Sequence, residues 1–187
     1  MDKLQIIKII KQLAENSSVV EYDKIPEIDL YMDQLTTFTE DKLKSYKRKE
    51  DDKILTKTMI NNYSKEKLLP PSAKKKYSKT HIALMLMIYH MKNNLALNDI
   101  AALTSYISNK AETDETSHED IYKMFTGIQQ QVTEQQEQYF ANIAELNNSN
   151  DITLSAILHL ILDANFKKRA AEKLIDTLLE TKTKNDK

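Results

Sequence analysis

The chain contains no cysteine, one glycine and three prolines among its 187 residues. The absence of cysteine excludes disulfides, thiolate metal sites and cysteine nucleophiles, and it is compatible with a reducing compartment. Tight turns in sheet-rich folds depend on glycine and proline, whereas the interior of a long helix needs neither residue. The scarcity of both therefore predicts an all-α fold, and an apolar fraction of 41% is high enough for a buried core.

Long apolar runs are also missing. No stretch approaches the roughly 20 apolar residues that span a bilayer, and the longest candidate, residues 82–91, contains His90 and precedes Lys92. Near the amino terminus, Lys8 and Lys11 interrupt the apolar run, and no small-residue cleavage site follows. We therefore predict an amphipathic helix at the amino terminus and a cytoplasmic protein that does not span a membrane.

Charges of opposite sign are concentrated in different parts of the chain, although the net charge is only −1. Between residues 53 and 81, eight lysines are opposed only by Glu66; between residues 111 and 151, nine acidic residues are opposed only by Lys123. A basic segment of this kind favours an anionic partner such as nucleic acid. The alternative, that these lysines form an ordinary solvated surface, remains open on charge alone.

The first part of the chain carries signals for several helices. An apolar stripe predicts a helix over residues 4–13, and Pro26 suits the first turn of another. Apolar positions between residues 30 and 43 fit one or two helices, with Thr36, Thr37 or Thr39 as the candidate cap between them. The highly charged residues 45–53 predict a solvated helix end or loop.

A short helix is predicted in the basic segment. Thr56 is its candidate N-cap, and the helix runs over residues 57–67 until the proline pair at 70–71 ends it. In this phase Ile60 and Tyr63 face inward, and the polar positions face outward. The surface of this helix is therefore the first candidate for recognition of a partner.

The next segments predict a core and a boundary. Ser78 is the candidate N-cap of a helix that is apolar on most sides and is therefore expected to be buried. A short helix follows Asn98, and the polar residues 108–120 are interpreted as an interdomain linker. The predicted division is an amino-terminal helix over residues 1–21, a DNA-binding domain over 22–108 and a helical domain over 109–187.

Two long amphipathic segments predict a helical hairpin at the carboxyl end. From residue 119 to Leu146 the apolar residues form a broken heptad that includes Phe125, Ile128 and Val132, with Asn142 at a seam position. This stripe predicts a homodimer through the carboxyl-terminal helices. A monomeric hairpin uses the same pattern, so that alternative stays open.

The segment LTKTMINNYSKEKLLPP at 55–71, followed by KKKYSKTHIALMLMIYHMKNNLALNDIAAL at 74–103, resembles the DNA-binding module of MerR-type regulators. That family combines a capped recognition helix with a wing and a following helix pair, and it binds double-stranded DNA as a dimer joined through carboxyl-terminal helices. The resemblance therefore implies a degenerate winged helix-turn-helix module followed by a helical hairpin. The matching positions are Ile60, Asn61, Asn62, Tyr63, Leu68, Leu69, Pro70, Tyr77, Ser78, Leu97 and Ile100.

The chain departs from the MerR pattern at defined positions. Asn61 and Asn62 stand where the family has arginine and tyrosine, Lys67 replaces a glycine, and the wing is shortened to residues 72–76. A closer resemblance, which includes IPEIDLYMDQLTTF at 25–38, is to the bacterial family named domain of unknown function 1836. The name of that family implies no activity.

The residue types in the basic segment suit duplex DNA. Side-chain amides on a short helix can pair with adenine edges in the major groove, and lysines can neutralise the flanking phosphates. The predicted DNA-binding residues are Lys57, Asn61, Asn62, Lys65, Lys74, Lys75, Lys76 and Tyr77. The leading hypothesis is therefore a transcriptional regulator that binds DNA.

A non-catalytic protein-interaction module on a degenerate helix-turn-helix scaffold is the alternative, and the lost arginine and wing favour it. We expect no enzyme, because no nucleophile elbow, phosphate loop or dinucleotide fingerprint occurs. We also expect no cofactor and no metal, because His81 and His90 are nine residues apart and the other two histidines lie in separate elements.

Overall fold

The computed structural model describes residues 1–113, 116–146 and 151–185. Within these residues the chain is mostly helical, with seven α-helices and one two-stranded ribbon, so the prediction of a helical fold is confirmed. In chain order the elements are α1 (Lys3–Asn16), β1 (Leu30–Tyr31), α2 (Met32–Leu43), α3 (Lys57–Lys65), β2 (Lys76–Tyr77), α4 (Lys79–Met91), α5 (Leu97–Thr113), α6 (His118–Leu146) and α7 (Ile152–Asn185). Single 3₁₀ turns occur at Tyr22–Lys24 and Lys44–Tyr46.

Helix α4 forms the centre of the core, as predicted. Every residue from His81 to Tyr89 is buried, because the sequence is apolar on all sides and α5, α6 and β2 pack around it. The helix begins where Ser78 is the predicted cap, and the backbone N–H of Ser78 donates to Nδ1 of His81 at 3.2 Å. A helix covered on every side fixes the position of the elements around it.

Helix α3 begins at the predicted residue and ends two residues earlier than predicted. The hydroxyl of Thr56 accepts a hydrogen bond from the N–H of Met59 at 3.1 Å, which confirms the cap. At the other end, the N–H of Leu68 donates to the carbonyl of Tyr63 at 2.9 Å, and Lys67 adopts a φ of 58°. This is a Schellman ending, in which a left-handed residue turns the chain away from the helix.

The ribbon joins two segments that are distant in sequence. Leu30 pairs with Tyr77 and Tyr31 with Lys76 in antiparallel register. Ahead of β1, Pro26 lies outside any helix and follows the extended residue Ile25, so the prediction that it opens a helix is wrong. The residue before a proline is pushed towards extended backbone, and pairing with β2 then holds the following residues as a strand.

Of the one or two helices predicted for residues 30–43, the structure has one, α2, so none of the three candidate threonines caps a second helix. The hydroxyls of Thr36, Thr37 and Thr39 donate to carbonyls of the preceding turn instead. A threonine in mid-helix satisfies its hydroxyl in this way without ending the helix. The first turn is held at Tyr31, whose N–H donates to Oε1 of Gln34 at 2.9 Å.

The predicted linker at 108–120 is largely helical where it is described. Helix α5 continues to Thr113, α6 starts at His118, and residues 114–115 lie outside the described residues. Polar residues here act as helix surface and as caps; for example, Ser117 accepts from the N–H of Asp120 at 3.1 Å. The predicted boundary after residue 108 falls inside α5, and the division into domains stays a prediction.

Helices α1 and α7 both pack against α6. Helix α1 packs along α6, and α7 contacts both α5 and α6. The hydroxyl of Tyr122 on α6 donates to the carbonyl of Val20 at 2.8 Å in a buried position. No helix of the described chain is both long and apolar enough to cross a membrane.

Candidate nucleic-acid interface

The outward face of α3 carries polar side chains at regular helical spacing. Ile60 and Tyr63 are 0% and 6% exposed and pack into the core, while the opposite face is open to solvent. That open face presents Thr58, Asn61, Asn62 and Lys65, which are spaced at i, i+3, i+4 and i+7. Because the Thr56 cap fixes the phase of the helix, both asparagines are exposed as the prediction required.

Lys57 lies at the start of this helix and already has a partner. Its ammonium group forms an ion pair with Asp33 in the first turn of α2, and both side chains are largely exposed. The pair brings the amino-terminal ends of α2 and α3 together. It also offsets part of the charge that Lys57 would offer to a phosphate.

The tight turn at residues 73–76 leads into β2 and presents two consecutive lysines; we call it the ribbon turn. Lys74 and Lys75 have φ values of 51° and 60°, and the N–H of Lys76 donates to the carbonyl of Ala73 at 2.9 Å. Two central residues with positive φ are the geometry of a type I′ hairpin turn. Both lysine side chains are exposed at its tip.

The two remaining residues of the predicted site hold the ribbon in place. The ammonium of Lys76 lies 4.9 Å from the ring centre of Tyr31, within the range of a cation–π contact. Tyr77 is only 6% exposed, its ring lies edge-on to His81 at 5.8 Å, and burial raises the pKa of its hydroxyl. Tyr77 therefore anchors the ribbon to the core and is not part of the exposed surface.

The loop between α3 and β2 is fixed by a histidine. Nδ1 of His81 accepts from the N–H of Ser78, so the proton resides on Nε2, which donates to the carbonyl of Pro70 at 3.1 Å. Nearby, Lys79 forms an ion pair with Glu27 and lies over the ring of Tyr22 at 4.2 Å. The exposed faces of α3 and the ribbon are thus attached to the same part of the core.

Several lysines of this surface have no acidic partner. In the described parts of the chain, Lys65, Lys67, Lys74 and Lys75 form no ion pair, whereas Lys57 and Lys79 do. Glu66 is the exposed acid next to them in sequence. The cationic character of the surface therefore comes mainly from the end of α3 and from the ribbon turn. We call α3's open face together with these four lysines the basic surface.

Two residues of the basic surface were not among the predicted contacts. Thr58 completes the outward row of α3, and its spacing from Asn61 and Lys65 was the available signal. Lys67 is exposed at the Schellman ending of α3. It lines a groove together with Ser108 and Asn109 on α5. That placement depends on a left-handed backbone at a lysine, which the residue type does not indicate.

No histidine is part of the basic surface; His81 is buried beneath it. His90 packs among Tyr46, Tyr89 and Phe125, with ring-centre distances of 4.8, 5.3 and 5.7 Å, and burial lowers its pKa to about 4. Among the described residues, no three histidine, aspartate or glutamate side chains come together in a way that would hold a metal ion.

The family model of a domain of unknown function (DUF1836) matches residues 20–125, which is more than half of the chain. This match contains α2 to α5, the ribbon and the whole basic surface. No curated protein and no solved structure matches the chain.

Proposed function

The chain belongs to the family of the domain of unknown function (DUF1836), and we propose that it binds duplex DNA through the basic surface and acts as a cytoplasmic transcriptional regulator. The scaffold for this is a degenerate MerR-like winged helix-turn-helix. The observation that carries the proposal is the orientation of α3, whose open face holds Asn61, Asn62 and Lys65 while Ile60 and Tyr63 anchor it to the core.

In the proposal, α3 is the recognition helix. Its nine residues make it about 13 Å long, a length that suits the major groove, which is about 12 Å wide. Amide side chains pair bidentately with the N6 and N7 positions of adenine, so two adjacent asparagines on an exposed face suit direct readout. Thr58 extends that row towards the start of the helix.

The ribbon turn acts as a shortened wing. Lys74 and Lys75 have no ion pair in the described chain, so their charges are available for phosphates. The ribbon is tied to the start of α2 by the contact of Lys76 with Tyr31, and α3 is tied to the same helix end by the ion pair of Lys57 with Asp33. These two contacts support a common surface for the turn and the recognition helix.

The scaffold is degenerate in the connection between α2 and α3. Residues 44–56 separate the two helices, whereas an ordinary helix-turn-helix uses a turn of about three or four residues. The connection is held to the core by Lys92, whose ammonium donates to the carbonyl of Ile54 at 2.7 Å. The proposal therefore rests on the exposed face of α3 and on the turn, and it does not require a standard angle between α2 and α3.

A protein-interaction module is the second candidate, and one observation favours it. Asp33 is exposed beside Lys57 at the amino-terminal end of α3, where a DNA-binding helix would approach a phosphate. A carboxylate at this position repels phosphate but suits a protein partner with mixed charge. This candidate takes the lead if the chain does not bind DNA.

Salt dependence of DNA binding tests the proposal. We expect the purified full-length chain to bind genomic duplex fragments, with an affinity that falls by about 0.9 log units per log unit of salt for each phosphate neutralised. Replacing Lys74 and Lys75 by glutamine should flatten that slope by about two such contacts. The matched control replaces the exposed lysines Lys8 and Lys173 of α1 and α7, and it should leave the slope unchanged.

Two substitutions on α3 separate sequence readout from simple attraction. Asn61→Ala should cost on the order of 1 to 3 kcal/mol on the preferred site while nonspecific binding is retained, because the amide reads a base. Lys65→Ala should weaken all sequences alike, because an ammonium contacts phosphate. Equal losses for Asn61→Ala on selected and random DNA would reject its role in readout, and failure to bind any fragment at low salt would reject the proposed function.

A further inference from the structure

Helix α7 exposes an apolar band that the described residues do not cover. Ala156 and Ile175, each 7% exposed, lie where α7 packs against the neighbouring helices, and Ile157 lines a small apolar pocket between α7 and α1. Away from these contacts, side chains that are 49–72% exposed form the outer band, which consists of Leu154, Leu158, Ile161, Leu162 and Phe166. A helix that is apolar on both sides is normally covered on both sides, and a contiguous exposed patch of this kind marks an interaction surface.

Charges of opposite sign lie at the two ends of the outer band. Asp151 precedes the band, and Arg169 follows it eighteen residues later, which corresponds to five helical turns and about 27 Å. Arg169 lies on the same face as the band, two turns after Leu162, and Asp151 is the exposed capping residue at the amino-terminal end of the same helix. Arg169 is exposed and forms no ion pair in the described part of the chain.

From these observations we infer that the outer band binds the outer band of a second copy of this chain, with the two α7 helices antiparallel. In a symmetric contact the same patch faces itself, so each feature must be complementary to its own image. The register that sets Asp151 opposite Arg169 of the second copy also sets Leu154 opposite Phe166 and Leu158 opposite Leu162. One register thus matches both the charges and the apolar side chains.

An unrelated partner would not require this symmetry. The acid at one end, the base at the other and the apolar pairs between them are all related by one two-fold axis near Leu160. A ridge of large aliphatic side chains also suits helix–helix packing, with the axes about 8–10 Å apart. These features together select a second copy as the occupant.

This surface differs from the dimer stripe predicted on α6. Phe125, one of the three predicted contacts, packs within its own chain against His90 and Tyr122, at ring-centre distances of 5.7 and 6.0 Å. Ile128 and Val132 are each 52% exposed, and the side chains of Asn142 and Leu146 at the end of the stripe lie outside the described residues. The inference places the dimer contact on α7 instead, and it stands independently of DNA binding.

Sedimentation of the full-length chain without DNA tests the inference. We expect a species of twice the 21.7 kDa chain mass at micromolar concentration. Leu158→Glu should raise the dimer Kd at least about a hundredfold, because it buries a carboxylate against the partner's leucine. Leu174→Glu is the matched control: Leu174 is 72% exposed on the same helix but lies off the outer band, and its replacement should change Kd less than about threefold.

Charge reversal tests the register. Arg169→Glu should weaken the dimer about tenfold, because two symmetric ion pairs become repulsions, and adding Asp151→Lys should restore most of the affinity. Asp151 also accepts from the N–H of Leu154 at 2.9 Å, so Asp151→Asn, which keeps a capping side chain and removes the charge, separates the ion pair from the helix cap.

Cysteine cross-linking tests the direction, since the native chain contributes no thiol. Ile161→Cys should link to itself near the two-fold axis. Leu154→Cys and Phe166→Cys should each fail to link alone but should link to one another when mixed, because position 154 of one copy lies about 18 Å along the helix from position 154 of the other.

A monomer at all concentrations, equal effects of the Leu158 and Leu174 variants, or self-linking of Leu154→Cys would overturn the inference. If a monomeric Leu158→Glu protein still binds DNA, the dimer inference and the proposed function can be judged separately.

Discussion

Residues 20–125 and the helices outside them use apolar side chains in different ways. The connected core of buried side chains runs from Val20 to Tyr122, and outside residues 20–125 the buried apolar side chains of the described chain are only Ile6, Ala156 and Ile175. Conversely, of nineteen exposed large apolar side chains in the described residues, fifteen lie outside residues 20–125. The region matched by the family model therefore covers its own apolar surface, whereas α1, α6 at residues 128–132 and α7 leave much of theirs open.

This difference separates two roles. A region that buries its own apolar residues gains its stability within one chain and offers a polar exterior, here the basic surface. Helices that keep apolar faces exposed gain further stability only when another surface covers them. Recognition of an anionic partner and self-association are therefore assigned to different regions of one molecule, and changes in one region should leave the other function intact.

The largest expected effect comes from truncating one aliphatic residue in each region to alanine and comparing the two losses of stability. Ile88 on α4 is 0% exposed, and truncation to alanine should lower the free energy of unfolding by about 2–5 kcal/mol, because it leaves a cavity in a packed core. Leu162 on α7 is 67% exposed, and its truncation should change the stability of the monomer by less than about 0.5 kcal/mol.

Urea unfolding at low protein concentration measures both changes. The concentration must be low enough for the monomer to dominate, because a dimer contact would add to the cost at Leu162. Similar losses for the two variants would show that α7 is covered within the chain. That result would remove the contrast between the two regions.

The second effect concerns His90, which lies where the core of residues 20–125 meets α6. Burial lowers the pKa of His90 to about 4, below the value of 6.5 expected for an exposed histidine. Between these values the unfolded chain binds more protons than the folded chain, so stability is complete above about pH 6.5 and falls as the pH approaches 4. The loss attributable to this group reaches about 3 kcal/mol at the acid end.

Replacing His90 by phenylalanine should reduce this loss, because the pocket of Tyr46, Tyr89 and Phe125 then contains no titrating ring. The difference in unfolding free energy between pH 7 and pH 4.5, measured by urea titration, should be smaller than in the wild type. His159→Phe on the exposed part of α7 serves as the control and should keep the wild-type dependence. Identical pH profiles for wild type and His90→Phe would mean that folding does not change the pKa of His90.

The sequence predicted features that depend on local patterns. Thr56 and Ser78 were identified as helix starts because a capping residue preceded apolar residues at helical spacing, and the phase of α3 followed from that. The two-residue strand β1 gave no periodic signal, and the partner of Leu30, Tyr77, lies 47 residues further along the chain. Pairing over that separation depends on tertiary packing, so Pro26 was assigned to a helix.

The candidate site was partly predictable for the same reason. Asn61, Asn62 and Lys65 follow from the helix phase, but the burial of Tyr77 and the ion pair of Lys57 depend on residues brought in from β1 and α2. On α6, the apolar stripe gave no indication that Phe125 would pack against α4 within the same chain. The stripe was visible in the sequence, and the partner that covers each part of it was not.

The smallest expected effect tests for backbone strain at Lys67, which lies within residues 20–125. Lys67 has a φ of 58° at the end of α3, a conformation that favours glycine because a Cβ crowds the backbone there. Lys67→Gly should therefore raise the free energy of unfolding by up to about 1 kcal/mol. Lys65→Gly, two residues earlier, lies inside the helix and should lower it by about 1 kcal/mol, because glycine has a poor helix propensity. Both variants remove one exposed lysine, so the charge change is the same and only the backbone conformation differs. Thermal unfolding of the two proteins should give shifts of opposite sign; destabilisation by both would indicate that Lys67 makes a favourable contact greater than the strain of its backbone.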